Sequence, residues 1–203
     1  MTDATPVLAA HERGLFRGGR GLFRSLSFAI APGQLVQLEG ANGAGKTSLL
    51  RILAGLSRYG FEGEVQRNGS LLYLGHKSAV KSLLTPRENL RLHVGGESYL
   101  ADAIDDALEK VGLYGYEDVP SHTLSAGQHR RVNLARLYLT DAALWLLDEP
   151  FTAIDRKGVS ELEALLVHHV ESGGAALVTS HQPLGVTCEV ARLNLVEGLC
   201  LSL

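Results

Sequence analysis

Gly40-Ala41-Asn42-Gly43-Ala44-Gly45-Lys46-Thr47 is a complete G-x-x-x-x-G-K-[ST] loop, set between an apolar strand-like run at 34–39 and an apolar helix-like run at 47–56. Backbone N–H groups can wrap a phosphate only where Cβ atoms are missing, and Gly40, Gly43 and Gly45 provide that close approach. Lys46 adds mobile positive charge, and Thr47 follows with a hydroxyl suited to Mg²⁺. The helix that begins here turns its positive dipole end toward the anion. A strand must therefore end and a helix begin around this loop, which commits the chain to an α/β arrangement.

The rest of the pattern agrees. The 203 residues suffice for one α/β domain with a proper core and are too few for two comfortable ones. Short strands are expected at 7–10, 26–30 and 34–39, with Pro32-Gly33 as a turn and an antiparallel opening. Further strands at 64–67 and 71–75 flank Asn68-Gly69, a strong turn signal, and imply a mixed sheet. From about 86 to 122 apolar residues such as Ile104, Leu108 and Val111 recur at helical spacing, broken by Gly95-Gly96, and read as a helical insertion. The runs 144–148 and 175–180 are continuously apolar, as buried parallel strands are, with a helix over 156–171 crossing between them. No apolar run approaches the roughly 18 to 20 residues that span a bilayer, and residues 1–6 lack a basic stretch followed by an apolar core.

Charge and cysteine content narrow the function classes. A net charge of −3 and a pI near 6.2 give no basic footprint, which disfavours nucleic acid as a partner. Cys188 and Cys200 have neither metal-ligand nor C-x-x-C spacing and read as reduced, buried thiols. The strand at 144–148 ends in Asp148-Glu149, the acidic partner a phosphate loop needs: Asp148 to hold Mg²⁺ through its shell, Glu149 to orient and polarise an attacking water. Leu124-Ser125-Ala126-Gly127-Gln128 opens a second helix, whose serine and glycine at the N-terminus make a second anion site. The adjacent His168 and His169 show no ligand spacing and read as solvated or capping residues.

The phosphate loop, the 124–128 pentad and the acidic strand, in this order, resemble the nucleotide-binding domain of ABC-type ATPases. The resemblance implies a P-loop fold over 1–203 with a mostly parallel core sheet, an antiparallel β subdomain and a helical insertion at about 77–125. It implies ATP and Mg²⁺ as cofactors, with Gly40, Ala41, Asn42, Gly43, Ala44, Gly45, Lys46, Thr47 and Ser48 around the phosphates. Thr47 and Asp148 would then serve the metal, and Glu149, His181 and Lys46 the chemistry. Ser125, Gly127 and Gln128 would cap the nucleotide of a second copy, so that two ATP molecules lie in a sandwich, with Asp155 communicating across it. His181 matches the family's switch histidine by its order and distance after the strand.

Tyr73-Leu74-Gly75-His76, Glu88-Asn89-Leu90, Arg130-Arg131, the string 147–155 and His181-Gln182-Pro183-Leu184 look like the ATP-binding subunits of the haem exporters of bacterial cytochrome c maturation. That resemblance implies separate membrane-spanning partners and a peripheral place on the cytoplasmic face of the inner membrane. Two departures stand out. Lys77 occupies the position where the family usually has a glutamine, and lysine has no acceptor to offer a cation. Upstream of the loop, where an aromatic residue usually stacks on adenine, Phe16 and Arg17 are both candidates.

Overall fold

A computed structural model describes residues 5–17, 20–24, 26–93, 101–196 and 199–200, with the backbone alone at 12–17, 20–24, 196 and 199–200. Residues 1–4, Gly95-Gly96 and the side chains of Phe16, Arg17 and Cys200 lie outside the described residues. The chain divides into two units, one of residues 1–76, 142–150 and 160–203, the other of residues 77–141 and 151–159.

The first unit holds two sheets. In the antiparallel one, β1 (Leu8–Arg17) pairs with β2 (Arg20–Arg24), β3 (Ser27–Ile30) and β5 (Phe61–Arg67). β1 runs well past the apolar stretch 7–10, because β5 pairs with it as far as Leu15 and β2 takes over from Gly14 to Arg17. Backbone pairing, invisible to hydropathy, extends it. The other sheet has the order β10-β9-β4-β8-β7-β6, with β4 (Leu35–Gly40), β6 (Leu71–Leu74), β7 (Leu144–Leu147), β8 (Ala175–Thr179) and β9 (Val190–Val196) parallel and β10 (Leu199–Cys200) antiparallel at one edge. Asn68-Gly69 closes no hairpin: β5 and β6 belong to different sheets, and Asn68 binds back to Val7 O (2.9 Å) and Pro6 O (2.9 Å) as the chain crosses from one to the other.

Alternate residues of the parallel strands, Val36, Leu38, Leu144, Leu146, Ala175 and Leu177, share one core with Leu8, Phe28 and Ile30 of the antiparallel sheet and Leu49, Leu50 and Leu53 of α1 (Lys46–Leu53). Helix α1 stops before the apolar run does. Gly55 takes φ +76°, its N–H reaches Ile52 O (2.9 Å), and Leu56 N–H reaches Arg51 O (2.8 Å), the paired bonds that close a helix C-terminus. Arg67 of β5 then donates to Leu53 O (2.6 Å), covering that carbonyl, and adds a second bond to Ile52 O (2.8 Å).

In the second unit α2 (Pro86–His93), α3 (Ala101–Lys110) and α4 (Ala126–Ala135) bury Leu90, Ile104, Leu108, Val132, Ala135 and Leu139 together. This unit continues past 125 because α4 and the 3₁₀ turn Arg136–Leu139 contribute to the same core. Helix α5 (Arg156–Glu171) occupies the span expected from sequence. Among the described residues no helix is long and apolar enough to cross a membrane.

Candidate functional site

Parallel neighbours end on the same edge of a sheet, so the order β4-β8-β7 sets three chain exits side by side. β4 leads into the phosphate loop, β7 into Asp148-Glu149, and β8 toward His181.

The loop's three glycines have different reasons. A Cβ at Gly40 would stand 2.8 Å from the carbonyl oxygen of Leu195 in β9, so this glycine serves strand packing more than phosphate approach. Gly43 (φ +84°) and Gly45 (φ +104°) hold left-handed backbone, and a Cβ on Gly43 would project into open space. Ala44 is buried in the core and its N–H closes a turn onto Ala41 O (3.1 Å), while Ala41 and Asn42 are exposed. Lys46, 8% exposed, donates through Nζ to Gly40 O (2.6 Å) and Ala41 O (3.2 Å). Gly45 caps α1 with no side-chain hydrogen bond, and the first turn carries no acid. The turn's N–H groups are thus free of a competing carboxylate, the arrangement a phosphate needs.

Asp148 is 1% exposed, and its Oδ1 accepts from the Thr179 hydroxyl (3.0 Å). The same hydroxyl accepts from Glu149 N–H (2.7 Å), in a residue whose φ is +49°. Two histidines bracket the Glu149 carboxyl: His181 Nε2 lies 3.0 Å from Oε1 and His76 Nδ1 3.5 Å from Oε2. The structure gathers Asp148, Glu149 and His181 and adds His76 and Thr179. Thr179 had one faint signal, being the single polar residue of β8.

A nucleotide with Mg²⁺ fits these residues. The phosphate cradle is open at Gly43, and the exposed Thr47 hydroxyl and the buried Asp148 carboxylate are hard oxygen donors. Mg²⁺ suits such a set because it keeps several waters and takes the rest of its shell from substrate phosphates.

In the second unit Ser125 begins α4 as one half of a capping box, its Oγ accepting from Gln128 N–H (3.2 Å) while Gln128 Oε1 accepts from Ser125 N–H (2.8 Å). Gln128 is thus already engaged in holding the helix start. A Cβ on Gly127 would stand 3.1 Å from Ala153 O, so glycine lets the 151–155 segment approach α4. Arg131 of α4 pairs with Asp155 Oδ2 (3.0 Å), and Asp155 Oδ1 accepts from Gly158 N–H (2.9 Å). The Gly158 hydrogen bond, helped by Arg131, holds the Asp155 carboxyl below the usual carboxylate range.

Two expectations change. Cys188 is a free thiol but only half-buried, because residues 181–190 run over the surface. His169 is no solvated residue: its ring stacks on Trp145 at 3.7 Å and 4°, with a ring nitrogen 3.2 Å from Ala175 O. A Cβ on Gly174 would overlap that ring, which explains the glycine there.

A Gly-rich loop feeding a helix, an acidic strand end one strand removed on the same sheet edge and a serine-capped helix between them in sequence define an ATP-hydrolysing domain of the ABC class. The chain belongs to the ABC transporter family, whose profile matches residues 23–152. Among its relatives, the cytochrome c biogenesis ATP-binding export protein CcmA of Methylococcus capsulatus (strain Bath) is 49% identical over 96% of this chain and 100% of its own length. The protein of that name from Yersinia pestis is 50% identical over 97% of each chain. In three dimensions the chain resembles a Pyrococcus furiosus protein described as an ABC transporter ATP-binding protein (TM-score 0.78, 24% identity, 93% of this chain and 96% of that one). It also resembles a metal-chelate type ABC transporter in an inward-facing conformation (TM-score 0.76, 21% identity, 95% and 81%).

Proposed function

We propose that the chain, a single ATP-binding domain over residues 1–203, is the ATP-hydrolysing subunit of a haem exporter serving c-type cytochrome biogenesis. The hydrolytic part rests on one observation above others: the Glu149 carboxyl is held at the strand edge by His181 at 3.0 Å, next to the buried Asp148 and one strand removed from the exit into the phosphate loop. Glu149 accepts a proton from water as it attacks the γ-phosphate in line, and His181 orients the carboxylate until it meets that phosphate. Lys46 leaves the carbonyls of Gly40 and Ala41 for the β- and γ-phosphates, where loop amides from Gly40 to Ser48 share the charge. Thr47 and Asp148 would hold Mg²⁺, which when bound neutralises charge on the phosphate oxygens.

Ser125, Gly127 and Gln128 act on the nucleotide of a second copy, forming a two-ATP sandwich, and Asp155 contributes to the same contact. The domain lies peripherally on the cytoplasmic face of the inner membrane and docks through its helical insertion onto separate membrane-spanning subunits; nucleic acid is no partner. What supports the cargo is the near-full-length identity, 49% and 50%, to export proteins named for cytochrome c biogenesis.

In the native cell a Glu149→Gln strain should lose mature c-type cytochromes by haem staining while haem synthesis continues. Normal cytochrome levels in that strain would leave an ABC ATPase with a different cargo.

A further inference from the structure

We propose that Thr179 is a positioning residue of the hydrolytic site: one buried hydroxyl sets both the carboxylate of Asp148 and the backbone of Glu149. The inference rests on the hydrolytic reading of Glu149 given above. Thr179 ends β8 and is fully buried. A hydroxyl has one proton to donate and lone pairs to accept with, and this one uses both: Oγ1 donates to Asp148 Oδ1 at 3.0 Å and accepts from Glu149 N–H at 2.7 Å.

Strand register explains why it can reach both. Val178 is paired with Leu147, the last residue of β7, so Thr179 stands one step further, where β7 gives way to Asp148 and Glu149. On its other side Thr179 is paired with Leu38 of β4, two residues before the phosphate loop begins. It is therefore fixed between the two strands that lead into the site.

The backbone adds a second reason. Glu149 has φ +49°, a left-handed conformation that an L residue with a Cβ adopts only when its surroundings hold it there. The bond from its N–H to Thr179 Oγ1 is such a hold, and in that conformation the Glu149 carboxyl meets His181 at 3.0 Å. Nothing about the strand itself calls for a hydroxyl. The preceding Ala175, Ala176, Leu177 and Val178 are all buried and apolar, and valine would fill the same volume with equal strand preference. The polar atom at this position is explained by what it binds.

Thr179→Ser and Thr179→Ala test this in the purified full chain, since the two variants differ by the hydroxyl alone; Thr179→Val supplies a third variant that preserves volume. The serine variant should keep kcat within about threefold of the parent, while alanine and valine should lower it about tenfold or more with affinity for metal-free ATP nearly unchanged. Equal kcat for the serine and alanine variants at matched folded fraction, checked by thermal melting, overturns the proposal whatever the valine variant does. In a Glu149→Gln background, single-turnover hydrolysis should fall less on adding Thr179→Ala than it does in the parent, because coupled residues are not additive. Fully additive losses also overturn it. The two readings fail separately: normal hydrolysis by Glu149→Gln itself removes the hydrolytic role of that residue, whereas a crippled Glu149→Gln beside a normal Thr179→Ala removes only the role of Thr179.

Discussion

Glu149 is the residue on which most of the site's geometry converges. Its carboxyl lies between His181 and His76, and its N–H is held by a buried threonine. Replacing it with glutamine keeps the size and the hydrogen-bonding carbonyl but removes the basic oxygen. MgATP should still bind, and turnover by the purified protein should fall about 10² to 10⁴-fold, the usual loss for a general base. Lys46 fails differently. Its ammonium spends two hydrogen bonds on loop carbonyls, which in the proposed mechanism it would exchange for phosphate oxygens. Lys46→Ala should therefore weaken ATP affinity itself by roughly 10 to 100-fold, the scale of a charge-assisted hydrogen bond. Equilibrium binding of a fluorescent ATP analogue, carried out without turnover, separates this from the effect at Glu149.

At the scale of elements, the ends of helices carry more information than their middles. Helix α1 starts at a glycine without a side-chain cap and so keeps its N-terminus open to a ligand, whereas α4 starts with a closed serine–glutamine box. Helix α5 is tied to β7 through the stack of His169 on Trp145. Burial, joined by the charge of the neighbouring His168, pushes the His169 pKa down. The unfolded chain takes up this proton near pH 6.5, the folded chain only at lower pH. Between those two values the unfolded state binds more protons, so the contribution of His169 is intact above about pH 6.5 and is lost as pH falls below it. Denaturation midpoints measured from pH 8 to pH 5 should decline less steeply for His169→Phe, which keeps an aromatic stack and cannot titrate. His93, also lowered by burial, works in the same direction in both proteins and cancels in the comparison.

For the whole molecule the question is what a second copy adds. Ser125 and Gln128 form a rigid, backbone-anchored edge at the start of α4, and Arg131 fixes Asp155 in the same unit. If these groups receive the nucleotide of a partner, bound ATP becomes part of the contact and must shift association by mass action. Sedimentation of the Glu149→Gln protein should show monomer without nucleotide and a growing dimer fraction as MgATP rises. A monomer at saturating ATP and high protein concentration would mean that the chain does not form the sandwich by itself.

Much of this could be read from residue order alone. The glycine spacing of 40–47, the acids at 148–149 and the pentad at 124–128 are local patterns, because phosphate binding, metal binding and helix capping are each carried by a few consecutive residues, whereas His181 is singled out only by its order and distance in the family resemblance. Helix α5 was equally legible, bounded by polar turns on either side of a periodic run. Tertiary structure alone decided what depends on partners distant in sequence. It carried β1 on to Arg17, placed β5 and β6 in different sheets despite Asn68-Gly69, and added β9 beside β4, where the closeness of Leu195 makes Gly40 obligatory. It also brought Thr179 to Asp148 across 31 residues and His76 to Glu149 across a longer stretch, contacts that follow from parallel register and leave no periodic trace. Sequence records what a short segment can do by itself, whereas pairing between strands is a property of the sheet, and only the folded sheet states which ends meet.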